Sequence, residues 1–178
     1  MKKKSTIIIV AIIVTGVAIG AYLIRPLSPT KTESLSSNGL DILVSYSAPY
    51  KKGRLIFGEA SQKALVPFGL YWRLGANKAT EITFNKDITF AGKTAKSGSY
   101  RMYTIPREKV WEIILNRDLG KSGAQEPDRS LDILIVEVEA QSISTETEQF
   151  TIDLEEKGSM IMMRFIWDRT EIAIPIQH

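Results

Sequence analysis

The sequence predicts an all-β protein, an antiparallel β-sandwich of about eight or nine strands preceded by one N-terminal transmembrane helix. Three observations carry that expectation. From Leu40 to the C-terminus, apolar and polar residues alternate over short runs, the period of half-buried strands. Gly, Pro, Asn and Asp recur between those runs, and no long stretch keeps the period of an amphipathic helix. At the N-terminus, Ser5–Ile24 carries no charge and follows Lys2, Lys3 and Lys4.

The apolar run is rich in Ile, Val and Ala. About 20 such residues span a hydrocarbon core of ~30 Å as a helix. A cleavable signal peptide has a shorter apolar part, ~7–15 residues, although Ala18 and Gly20 offer a small-x-small cleavage site. With no cysteine in the chain, a lipid-modified N-terminal cysteine is excluded. The expectation is an uncleaved anchor over residues 1–25. Residues 5–24 sit in the inner membrane, the lysines in the cytoplasm and the C-terminal domain outside, by the positive-inside rule. Residues 26–39, rich in Ser, Thr, Pro and Lys, read as a solvated linker. Residues 40–178 read as one domain, enough for a single core.

Within that domain the strands are expected at Leu40–Tyr46, Thr80–Phe84, Ile88–Phe90, Ser99–Ile105, Val110–Asn116, Leu131–Ala140, Gln149–Leu154, Met160–Trp167 and Glu171–Ile176, and Gly53 opens a short segment, Arg54–Phe57, bounded by Gly58. Glu59–Leu65 reads as a helical turn or loop, and Ala91-Gly92-Lys93 as a turn. Glu155-Glu156-Lys157-Gly158 and Asp168-Arg169-Thr170 read as hairpin turns, and 117–129 as a long surface loop. In Met160–Trp167, Met160, Met162 and Arg164 share one face and Ile161, Met163, Phe165 and Trp167 the other; the methionine stripe reads as core filling, with the Arg164 stem lying over apolar surface.

Charge excludes some functions. The chain has 23 Lys+Arg and 20 Asp+Glu. Setting aside Lys2, Lys3 and Lys4 leaves 20 of each, a formally neutral domain. That argues against a nucleic-acid partner, which needs a basic face to neutralise phosphates. The only histidine is the last residue, His178, and there is no cysteine. No thiol or histidine-based catalytic set is therefore expected, no cofactor motif is present, and no loop has the spaced acidic ligands of a calcium site.

The densest mixture of chemistry lies between Val66 and Phe84. Pro67-Phe68-Gly69 and Gly75-Ala76-Asn77 mark two bends, and Thr80–Phe84 follows as a strand. Trp72 and Arg73 fall in the irregular connection, where binding groups are commonly carried on a rigid sheet. The simpler alternative makes Trp72 a core plug, Arg73 an ion-pair partner of Glu81, and Asn77 a turn residue.

The run Trp72-Arg73-Leu74-Gly75-Ala76-Asn77-Lys78-Ala79-Thr80-Glu81 resembles the signature of a bacterial family, the domain of unknown function 2911. Flanking pieces extend the resemblance over roughly residues 40 to 176: Tyr46-Ser47-Ala48-Pro49, Lys52-Gly53-Arg54-Leu55-Ile56-Phe57-Gly58, Ser97-Gly98-Ser99-Tyr100 through Thr104-Ile105-Pro106, and Trp111-Glu112-Ile113-Ile114-Leu115-Asn116. The resemblance implies an exported, β-rich domain and supplies no activity. Two departures stand out: Ala48 replaces the family's usual arginine, and Lys121-Ser122-Gly123 replaces a Trp-Gly pair.

The candidate ligand-binding residues are Arg54, Trp72, Arg73, Asn77, Glu81 and Tyr100. Guanidinium and amide donors suit carboxylate, phosphate or sugar oxygens, and the aromatics add apolar faces with polar edges. The function expected is a membrane-anchored binding module for a polar or anionic small ligand or glycan. A structural or partner-binding envelope protein is one alternative, and a carboxylate-dependent hydrolase a second. Glu59, Glu81, Asp118, Glu126 and Asp128 are the available carboxylates. Mass measurement of the membrane fraction should return a chain that retains residues 7–24; a mature protein beginning at Ala21 would make it a secreted domain instead.

Overall fold

A computed structural model describes residues 28–178, so the expected anchor lies outside the described residues. Among the described residues no helix is long and apolar enough to cross a membrane. The described residues form eleven strands: β1 (Thr30–Ser37), β2 (Leu40–Ser47), β3 (Phe57–Gly58), β4 (Val66–Pro67), β5 (Thr80–Phe84), β6 (Ile88–Phe90), β7 (Lys93–Ala95), β8 (Gly98–Ile105), β9 (Val110–Asn116), β10 (Asp132–Lys157) and β11 (Met160–Gln177). Nine of them make one antiparallel sheet in the order β1-β2-β5-β8-β9-β10-β11-β6-β7, while β3 and β4 form a small parallel pair. The all-β expectation is met.

A single strand makes the two layers. The first part of β10, Asp132–Glu139, pairs with β9, and from Ala140 onward the same strand pairs with β11. Register shifts between Ser142 and Thr151 bend it, as bulges do. The sheet thus folds over on itself. Leu40, Ile42, Val44 and Tyr46 of β2 share one core with Phe150 and Ile152 of β10 and with Ile161, Met163, Phe165 and Trp167 of β11. The Ile152 N–H donates to the Tyr46 hydroxyl across the layers at 3.0 Å. Tyr46 is pushed above its ordinary pKa, chiefly by burial.

Several sequence expectations are corrected. The linker assigned to residues 26–39 contains β1, paired with β2 over its whole length. β1 is polar because it is an edge strand with one face in water, so apolar alternation does not reveal it. Its turn does: Asn38 and Gly39 are both left-handed, with φ 49° and 77°, the geometry that Asn-Gly provides in a two-residue hairpin. The turn expected at Asp168 is a left-handed bulge residue (φ 54°) inside β11. The turn expected at 155–158 lies at Gly158-Ser159, with Lys157 paired to Met160. Gln149–Leu154 is not a separate strand but part of β10, and Lys93–Ala95 is strand as well as turn.

The segment 117–131 is more than a surface loop. It lies over the outer face of β8 and β9, where Tyr103, Ile105 and Ile114 form a second small core with Tyr71 packed on it. Arg101, on the same face, is fully buried. Its Nη2 donates to the Tyr71 hydroxyl (2.6 Å) and to the Gln125 carbonyl, and its Nη1 lies 3.6 Å from Asp118. Among the described residues Nε and Nη1 have no hydrogen-bond partner. The Tyr103 hydroxyl donates to Asp132, and Asn116 Nδ2 donates to Asp132 and to the Asp128 carbonyl. Burial, then the Asp132 carboxylate, pushes Tyr103 far above its ordinary pKa, so it stays a neutral donor. Arg101→Ala should cost roughly 3–5 kcal/mol, because it strands partners under the segment and leaves a cavity. Arg101→Met, which fills the space without burying a charge, should cost less; equal losses in denaturant melts would mean that the guanidinium does not hold the segment.

Candidate functional site

The connection from Tyr71 to Ala79 is built by backbone geometry that few residues adopt. Trp72 makes a two-way backbone bridge to Thr104 of β8, at 2.8 and 3.0 Å. The chain then reverses through Leu74 and Asn77, both left-handed (φ 53° and 56°), with Gly75 between them at φ 136°. A Cβ on Gly75 would sit 2.4 Å from the Ser47 carbonyl oxygen, so the close approach to β2 requires glycine. The Thr80 hydroxyl donates to the Leu74 carbonyl at 2.6 Å and locks the reversal to β5.

Trp72 is 6% exposed. Its ring stacks on Trp167 (centroids 5.8 Å apart, 18° between planes) and meets Phe57, Trp111 and Phe150 edge-on. Its Nε1–H donates to the Gly75 carbonyl. The core-plug reading of Trp72 therefore describes most of the indole, while its edge and that of Trp167 line a cavity of about 430 Å³.

That cavity brings together Arg54, Trp72, Arg73 and Asn77, four of the six candidate residues. Ser28, Tyr50, Lys52 and Leu65 also line it. Its lining includes three cationic side chains, Lys52, Arg54 and Arg73, and no carboxylate. Asn77 is exposed, and its amide donates to the Ser28 carbonyl.

Glu81 stands elsewhere. It lines a neighbouring cavity of about 600 Å³ with Thr30, Ser45, Ser47, Lys78, Lys121 and Ser122; Asn77 is common to the two. The expected Arg73–Glu81 pair is not formed. Glu81 lies on the outer face of β5, in register with Arg101, and accepts the Gly120 N–H at 2.7 Å. The left-handed residues Leu74 and Asn77, with Gly75, lie between Arg73 and Glu81 in the chain. Among the described residues Arg73 has no ion pair or hydrogen bond, and it is half-buried. Its stem packs on Gly123, where a Cβ would come within 2.6 Å of Arg73 Cδ. Tyr100 lines neither cavity. Strand alternation turns it into the core against Phe84, and its hydroxyl donates to the Lys96 carbonyl.

Two tethers that the sequence does not reveal hold these walls. The 48–54 turn is fixed to the bend of β10: Phe150 N–H donates to the Pro49 carbonyl, Lys51 N–H to the Glu148 carbonyl, and Lys52 N–H to the Glu148 carboxylate. Lys51 Nζ bridges Glu146 (2.8 Å) and the bulge residue Asp168 (2.7 Å). Arg54 closes the turn by donating to the Tyr50 and Lys51 carbonyls. On the other side, Gly123 N–H donates to the Asn77 carbonyl, the Tyr71 hydroxyl to the Gly123 carbonyl, and Lys78 bridges Ser122. Asn77 and Lys78 are thus joined to the segment held by Arg101.

A family model described as "Protein of unknown function (DUF2911)" matches residues 28–176. The chain belongs to the DUF2911 family. The match starts before β1, so β1 falls within the family domain, which the sequence reading began at Leu40. No curated protein and no solved structure matches the chain.

Lys51 holds the Glu146 carboxyl below its ordinary value of 4.5, first through the hydrogen bond between them. A depressed carboxyl stabilises the fold above its unfolded pKa and loses that contribution as pH falls through the folded one. The melting temperature should therefore fall more steeply below pH 4.5 in the native chain than in Lys51→Met, and parallel pH curves would remove this tether.

Proposed function

We propose that this protein is a binding module for a polar or anionic small ligand or glycan, held at the outer surface of the inner membrane by residues 5–24. The observation that carries the reading is the 430 Å³ cavity lined by Lys52, Arg54 and Arg73 without a carboxylate, on a floor of indole edges. Its size is that of small-molecule pockets. An isolated cation-only lining attracts carboxylate or phosphate, and a guanidinium without a partner offers the planar fork that grips either one bidentately. Asn77 adds an amide at the rim.

A second reading, a surface for an envelope protein, draws on Leu55, Leu65 and Leu70, all exposed on the 53–70 stretch beside the cavity. Three scattered leucines fall short of the contiguous apolar patch that marks a protein interface. The hydrolase alternative would call for paired carboxylates, and the residues lining the two cavities include one, Glu81.

Calorimetric titration of the full chain in detergent with glucuronate and with inorganic phosphate tests the proposal. At least one should bind. Arg73→Ala should weaken it about 10- to 100-fold, the loss of a charge-assisted hydrogen-bond pair, and Arg73→Lys should recover only part. The same Arg73→Ala variant should melt within about 1 kcal/mol of the native chain, since no buried partner is stranded. A large melting loss would make Arg73 structural, and no binding of either probe would remove the reading.

A further inference from the structure

We infer that the two cavities are consecutive subsites for an acidic oligosaccharide, with the anionic sugar beside Arg54 and Arg73 and a neutral sugar beside Glu81; this rests on the reading of the first cavity as an anion site. The cavities meet at Asn77, which lines both. Their volumes, about 430 and 600 Å³, leave room for more than one sugar ring.

The chemistry of the two linings divides the ligand. The first offers Lys52, Arg54 and Arg73 and no acceptor carboxylate. The second offers hydroxyls from Thr30, Ser45, Ser47 and Ser122, ammonium groups from Lys78 and Lys121, and the Glu81 carboxylate. Serine and threonine hydroxyls both donate and accept, as sugar hydroxyls do. Lys121 lies 3.9 Å from Asp118, which offsets part of its charge. Glu81 uses one oxygen on the Gly120 N–H, and its other oxygen has no hydrogen-bond partner among the described residues. That oxygen accepts hydroxyl protons and repels a second anion, so a uniformly charged chain such as polyphosphate fits the second cavity poorly. A neutral polyhydroxyl unit fits it well.

The arrangement also gives the 117–131 segment a purpose in recognition. Gly120, Lys121 and Ser122 form a wall of the second cavity, and the same segment is fixed to the sheet through Gln125 on the buried Arg101. Arg101 is then a positioning residue for the neutral-sugar subsite, through the segment and not by contact.

The test titrates the full chain in detergent with glucuronate, an aldobiouronic acid (glucuronate linked to a neutral hexose), the neutral disaccharide cellobiose, and pyrophosphate. The aldobiouronic acid should bind at least about tenfold more tightly than glucuronate. Glu81→Gln, which keeps an acceptor for Gly120, and Lys78→Ala, at an exposed position, should each erase most of that gain and leave glucuronate affinity unchanged. Arg73→Ala should weaken both acidic saccharides together. If the disaccharide binds no more tightly than glucuronate, or its gain survives both Glu81→Gln and Lys78→Ala, the second subsite is refuted while the anion site stands. If pyrophosphate binds and the saccharides do not, the sugar assignment is overturned. If nothing binds, both readings fall together.

Discussion

The contact on which the arrangement depends is the stack of Trp72 on Trp167. Trp72 belongs to an irregular connection and Trp167 to β11 in the opposite layer, so the stack ties the least regular part of the chain to the most regular. Phe57, Trp111 and Phe150 surround it at centroid distances of 5.0 to 6.1 Å, within the range of favourable edge-to-face contacts. Without that aromatic anchor, the left-handed run from Leu74 to Asn77 would have nothing to fix where Arg73 emerges. The stack is also why the cavity has a rigid floor: both indoles are almost wholly buried, and only their edges face the space.

The walls are set by groups that do not line the cavity. Lys51, Glu146, Glu148 and Asp168 hold the turn bearing Arg54 to the bent middle of β10 and β11. Arg101, Tyr71 and Gly123 hold the opposite wall. Acidic side chains are therefore consumed in structural bonds near the cavity while Arg73 is left without a counter-ion among the described residues. A neutral domain can in this way present a local positive field, which its net charge conceals.

The strands of the inner core were legible because they alternate, as Leu40, Ile42, Val44 and Tyr46 do in β2; in β11 the period left two apolar faces, and the one that enters the core is that of Ile161, Met163, Phe165 and Trp167 and not the methionine stripe of Met160 and Met162. β1 was not, because its outward face is polar and it buries little, although Asn38-Gly39 announced its turn. The union of two expected strands in β10 was hidden because a bulge and a turn share the same polar residues, here Ser142 to Glu148. At the site, Arg54, Trp72, Arg73 and Asn77 were found by residue type. The Arg73–Glu81 pair failed because eight residues of sequence separation say nothing about a left-handed reversal between them. Arg101 was missed because a lone arginine in a strand reads as a solvent-facing charge; only the fold of 117–131 buries it. Tyr103 and Asp132 met for the same reason.

A strand that serves both layers has a consequence for how the molecule comes apart. β10 contributes one half to each layer, so neither layer has a complete set of edges without the other. The first pairs β9 with residues near 132–139 and the second pairs β11 with residues beyond 140, through one uninterrupted backbone. There is no natural seam at which a half-domain could open while the rest stays folded, and three of the eight pairings in the sheet join strands that are not consecutive, β2 with β5, β5 with β8 and β11 with β6. Such topologies form slowly and yield as a unit. Under a pulling force that means resistance followed by a single abrupt release, with no staged peeling of one layer from the other.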